Sequence, residues 1–364
     1  MSAAVFARIQ SPLLALLMVL LLSSWFAPGG EHIRTQQIDF WLVWLVCMLV
    51  LALPITLLET ALARRSQTSP LQALSSLTRE ADARPTWRLV GWLAVACMGL
   101  IAGGLVHQAA ILLGQTLTSA DLAQPVVVLF PVLAVFALGF SWLPRTVLVL
   151  GAALAVVAIE LSTFSLGAGT WALTDFSLQE WASAVVLALV ASGLGMGLYW
   201  QSALSSSPKQ RASVIALPVW GAQVVAGALF ALAQGVRGEL ATTLYLLALL
   251  CGAAYLVHMV RVQLQARSLP LVLQAAALLV AFAVWWLPIG ALGGWMAASV
   301  LGLLVCLVYA VFSGWTMKIS HLRKALGFDN EVLYNLWRVA MRIVIPLSIV
   351  LALVGLLMHW LSVA

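Results

Sequence analysis

Apolar runs of membrane-crossing length, joined by short polar connections, account for nearly all of this 364-residue chain. In hydrocarbon every backbone N–H and C=O must be paired within the segment or within a closed barrel. Barrel strands would alternate polar and apolar residues, and these runs do not, so the chain is expected to be an all-α polytopic membrane protein. The spans read at about 12–27, 40–60, 89–114, 125–141, 145–163, 181–200, 212–234, 240–260, 270–288, 295–316 and 337–361, about eleven in all. No stretch between them is long enough to fold as a separate domain, so 1–364 is read as one transmembrane unit. Composition agrees: 63% of residues are hydrophobic and 8% charged, far below the quarter or so that a water-soluble surface needs. The first run resembles a signal peptide, but Ser23-Ser24-Trp25 lacks the small-x-small pattern of a cleavage site, and the run is expected to stay as a span.

Basic residues orient the bundle, because cytoplasmic connections retain Lys and Arg. With the N-terminus inside, all 18 Lys and Arg except Arg34 and Arg237 fall on the cytoplasmic side. Glu31, Asp39, Asp121, Asp175, Glu180 and Glu239 fall in the outer connections, and Glu160 lies near the outer end of its span. The predicted location is a bacterial-type inner membrane, with a cytoplasmic N-terminus and a periplasmic C-terminus. The pI near 9.5 then reflects topology, and no nucleic-acid partner is implied.

Cys47, Cys97, Cys251 and Cys306 stand alone in four different spans, without CxxC spacing, and read as packing residues. Many Trp residues lie near span ends, where an amphipathic ring suits the headgroup boundary. No HExxH, GxSxG, phosphate loop or paired-acid pattern is present, so no enzyme activity, metal site or cofactor is predicted.

Pro54 and Glu59 at the end of span two, Gly193, Gly195 and Gly197 in the middle, and Ser313-Gly314 with Ile345-Pro346 near the end lie in three separated segments that resemble the neurotransmitter:sodium symporter family. Span two ends in Leu53-Pro54-Ile55-Thr56-Leu57-Leu58-Glu59-Thr60, with a proline five residues before a glutamate, followed by a basic loop and Trp87-Arg88-Leu89-Val90-Gly91. Trp171 to Ser177 leads into Gly193-Leu194-Gly195-Met196-Gly197-Leu198-Tyr199, similar to the family's broken sixth helix. Phe312-Ser313-Gly314-Trp315-Thr316, then Leu336-Trp337-Arg338 and Ile345-Pro346, resemble its last two helices. The resemblance implies a compact, divergent member with an inverted five-helix repeat, about 12–163 and 181–316, and an extra C-terminal helix at about 337–361. It also implies a midplane substrate site, where helices one and six are broken, and sodium-coupled uptake of amino acids or related amines.

The chain departs from that pattern where coupling chemistry would sit. Aligning the proline that ends the family's first helix with Pro28 puts Ala15 to Leu22 at the expected break, and no Gly or Asn is there. A continuous first helix is therefore predicted, with its carbonyls tied up in i to i−4 bonds. Positions near Ala191, Val219 and Ala254 replace the family's oxygen-bearing cation ligands, and sodium, a hard cation, needs several oxygens. Paired tyrosines of helix three align near Gly103 and Gly104, and the outer loop between helices seven and eight shrinks to about residues 235–239.

Few polar groups remain inside the spans, and intramembrane polar groups often mark a pathway. Ser23, Ser24, His107, Gln108, Gly193, Gly195 and Gly197 are the candidate substrate-site residues. Glu59, five residues before Arg64, is a candidate structural ion pair or gate. Gln223 and Gln274 are expected to hydrogen-bond neighbouring backbone, and His258 lies near an inner span end. The leading expectation is a secondary transporter of a small organic solute, such as an amino acid, lacking most standard sodium ligands. The rival is a transport-inactive protein of the same fold, serving as scaffold, sensor or subunit beside a protein partner in the bilayer.

Overall fold

The computed structural model describes residues 3–26, 37–117, 125–163, 171–204, 211–232, 238–286, 290–317, 319–328 and 330–363. Pro28 and most of the short 235–239 connection lie outside them. The described residues form helices: α1 (Ala3–Phe26), α2 (Ile38–Ser66), α3 (Pro70–Glu80), α4 (Leu89–Thr116), α5 (Pro125–Phe140), α6 (Arg145–Thr163), α7 (Leu178–Leu189), α8 (Trp200–Leu204), α9 (Ala212–Leu232), α10 (Glu239–Gln265), α11 (Leu271–Ala283), α12 (Gly290–Val311), α13 (Ile319–Leu326) and α14 (Glu331–Ser362). Six of these, some extended by a flanking turn, are long and apolar enough to cross a membrane, and four more apolar helices are shorter. The molecule is a multi-pass membrane protein.

As predicted, α1 is continuous: the helix runs without interruption through Leu14–Leu22, and most of that stretch is buried. Leu, Ala and Met favour the helix, and nothing in the stretch supplies a Gly or Pro to open it. α1 packs along α9, while α10 packs on α4 and α6, and α14 on α7. Wide π-turns interrupt α2 at Met48–Ala52 and α14 at Ala340–Val344. A proline follows each, Pro54 and Pro346, and the missing N–H and ring clash of proline are relieved by widening the turn before it.

α7 starts from a capping box. Ser177 Oγ accepts from the Glu180 amide at 3.2 Å, and Glu180 Oε2 accepts from the Ser177 amide at 2.6 Å. Glu180 is thereby buried, although its acidity suggested an outer connection open to water. The segment ahead of α7 is held to the start of α2, with Ile38 N–H bonded to the Ala172 carbonyl at 3.0 Å and Thr174 donating to the Asp39 carboxylate.

Candidate functional site

Between α7 and α8 the helix is broken over residues 190–199. Gly193, Gly195 and Gly197 have φ of 68°, 81° and 72°, alternating with residues in ordinary conformations. This left-handed geometry is open to glycine and strained for other residues. Space is also short: a Cβ on Gly195 would lie 2.7 Å from Val305, and one on Gly193 2.7 Å from Leu198. Here the glycine spacing marks an unwound segment.

A break of this kind exposes backbone groups that must be paired in a buried setting. Side chains from five different places do so. The Ser192 carbonyl accepts from Tyr199 Oη at 2.7 Å and from Gln223 Nε2 at 3.1 Å. Cys306 Sγ donates to the Leu194 carbonyl at 3.5 Å, and Gln263 Nε2 to the Met196 carbonyl at 3.4 Å. On the other side Glu59, 3% exposed, accepts from the Gly197 N–H at 3.4 Å and faces the Gly195 backbone. Alternating left- and right-handed residues turn successive N–H groups to one side, a nest suited to an anion, and the Glu59 carboxylate occupies it. Glu59 Oε2, Gln223 Oε1 and Gln263 Oε1 remain buried without a hydrogen-bond partner.

Glu59 is thus bound to the break, 138 residues away in sequence, and not to its neighbour Arg64, whose Nη1 donates to the Ala325 carbonyl at 3.3 Å. Ser23 is buried on α1; Ser24 Oγ donates to the Leu21 carbonyl and lies 2.8 Å from the Tyr245 hydroxyl, linking α1 to α10. His107 is half-buried, its ring between those of Trp285 and Phe130, with centroids 5.4 and 6.0 Å away. Gln108 is also half-buried. Glu59, Gly195 and Gly197 are therefore brought together, whereas Ser24 and His107 have their partners on other helices.

The room beside Gly103 and Gly104 is taken by indoles. A Cβ on either glycine would collide with Trp285, and on Gly104 with Trp25 as well. Trp285 is fixed by donating to the Leu100 carbonyl at 2.8 Å. Gly252 receives Leu21 in the same way, so α1 side chains fill the space toward α4 and α10. Of the donors that close the break, Gln223 was legible as an isolated amide needing a backbone partner. Tyr199 is marked only as the end of the glycine motif and Cys306 as a packing residue, and Gln263 lies past the expected end of its span, so the sequence singles out none of the three as a donor.

This bundle of apolar helices, with the glycine break between α7 and α8 held against a buried carboxylate from α2, matches solved transporters of LeuT-like fold. MhsT, a neurotransmitter:sodium symporter-family transporter solved in complex with L-phenylalanine, is similar at a TM-score of 0.61 and 17% identity, covering 94% of this chain and 98% of that chain. A manganese transporter of Eremococcus coleocola, solved with an aromatic bis-isothiourea substituted compound, is similar at 0.59 and 14% identity, covering 98% and 88%. No family model matches the chain, and no curated protein matches it in sequence. The likeness is one of fold.

Proposed function

We infer that the chain is a secondary transporter moving a small organic solute, with an amino acid the first class to test, and that its coupling does not use sodium. The observation that carries the reading is the retained break at residues 190–199, whose three glycines hold a left-handed backbone that would strain other residues inside an apolar span. The absence of sodium coupling rests on the pairing of the break's carbonyls: those of Ser192, Leu194 and Met196 already have protein donors. Glu59 then becomes the candidate coupling group, since it is a buried carboxylate touching the break with one oxygen still unpartnered. The repeats would span about 12–163 and 181–316, in an inner membrane with the N-terminus cytoplasmic.

Purified protein reconstituted in liposomes tests this by uptake of labelled amino acids, beginning with L-phenylalanine, under imposed proton and sodium gradients. Uptake driven by the proton gradient and lost in Glu59→Gln supports the reading. A second reading, a transport-inactive scaffold or subunit, is favoured by the closure of the region where α1, α4 and α10 meet by Leu21, Trp25 and Trp285. It becomes the better account if no solute in the panel is taken up and none raises the melting midpoint of the protein.

A further inference from the structure

A second polar cluster lies away from the break, where α10 meets the turn joining α5 to α6. Tyr255, His258 and Arg261 follow at three-residue intervals along one face of α10 and meet Ser141, Trp142 and Arg145 of that turn. His258 Nδ1 lies 3.0 Å from the Ser141 carbonyl, and Arg261 Nη1 donates to Ser141 Oγ at 3.0 Å. The Arg261 guanidinium stacks 3.6 Å over the Trp142 ring, and that of Arg145 lies 5.7 Å over Tyr255.

Cation–π contacts hold these two guanidinium planes, and Ser141 takes one of the edge donors of Arg261. Arg145 Nε and Nη2 and Arg261 Nε are buried without a hydrogen-bond partner, and the buried Tyr255 hydroxyl faces the Arg145 guanidinium. Arg261 is 8% exposed and Tyr255 1%. Among the described residues neither arginine is paired with a carboxylate. Arg145 also opens the 19-residue helix α6, so the positive end of that helix faces the same place. Buried guanidinium N–H groups gathered at a helix N-terminus, with no carboxylate partner among the described residues, are suited to an anion.

We propose that this cluster binds a phosphate group, supplied by an anionic lipid headgroup or by free phosphate. The guanidinium edge offers parallel N–H donors matched to phosphate oxygens, and the tyrosine hydroxyl adds a neutral donor beside them. Exposed Trp142 sets the site at a span end, the depth at which headgroup phosphates lie. Occupancy would fix the α5–α6 turn against α10.

The full-length protein, stripped of lipid in a neutral detergent, is titrated in two arms: phosphatidylglycerol followed by native mass spectrometry, and inorganic phosphate followed by thermal unfolding against chloride at equal ionic strength. Saturable binding of one equivalent is expected in at least one arm; the lipid arm alone identifies a headgroup, and the phosphate arm alone a free anion. Arg145→Gln and Arg261→Gln are each expected to weaken binding about tenfold, and Tyr255→Phe about threefold with an unchanged ligand-free midpoint. No saturable binding in either arm, or wild-type affinity in both arginine variants, overturns the proposal. If the arginine variants do not fold, unchanged affinity in Tyr255→Phe overturns it.

Discussion

The Tyr199 hydroxyl donates to the Ser192 carbonyl across seven residues at 2.7 Å, so the unwound segment is closed by one of its own side chains. Gln223 of α9 adds a second donor to the same oxygen. A helix break that is self-capped in this way can persist in an apolar bundle without a bound ion to satisfy it.

Removing either donor alone leaves the Ser192 carbonyl with one partner, whereas removing both leaves a buried acceptor unpaired. Tyr199→Phe and Gln223→Leu are each expected to cost about 1 kcal/mol, and the double variant more than the sum. Thermal unfolding of the four proteins measures this. A strictly additive double variant would mean that water or another group replaces the lost donors.

Gly195→Ala is expected to destabilise by about 2 kcal/mol or more, since it combines a left-handed φ of 81° with a contact 2.7 Å from Val305. Gly139 and Gly221 provide the controls: both lie in helices, and an added Cβ would meet nothing within 4 Å. Alanine there should be neutral or stabilising by up to about 1 kcal/mol. Equal losses at all three positions would contradict the role given to the break.

These contrasts also show what the sequence could reveal. Helix positions were legible because hydrophobic length is local; the break at Gly193, Gly195 and Gly197 was legible only through the family resemblance, since glycine spacing by itself commonly means tight helix packing. The unbroken α1 followed from the same local logic. Partners were not legible: Glu59 lies five residues from Arg64 yet binds Gly197, because helix packing decides which buried groups meet. The π-turns at 48–52 and 340–344 stand ahead of Pro54 and Pro346, but Pro12, Pro131 and Pro218 sit inside helices with no such turn in their assigned structure, so proline alone did not predict them.

Orientation is open to direct measurement. Reporter fusions after Ser2 and at Ala364 are expected to report the cytoplasm and the periplasm respectively, from the placement of all basic residues but Arg34 and Arg237 on one side. Both ends on the same side would require an even number of crossings and a different division of the chain.

Sodium is expected to leave the stability of the protein unchanged. A ligand that binds only the folded state raises stability by an amount set by its concentration over its dissociation constant, so a real site produces a saturating shift. A hard cation stripped of water needs several oxygen ligands. α1 offers none from its backbone, being helical throughout Ala3–Phe26. The carbonyls of the break at Ser192, Leu194 and Met196 are engaged by Tyr199, Gln223, Cys306 and Gln263, and the side chains at Ala191, Val219 and Ala254 carry no oxygen. Among the buried side chains at the break, Glu59 Oε2 and the Gln223 and Gln263 amide oxygens have capacity left, and Glu59 is already held by the Gly197 N–H. Thermal unfolding in matched sodium, potassium and choline buffers should therefore give overlapping curves. A sodium-specific rise that saturates, and that disappears in Glu59→Gln, would show that these three oxygens gather a cation and would return the protein to conventional sodium coupling.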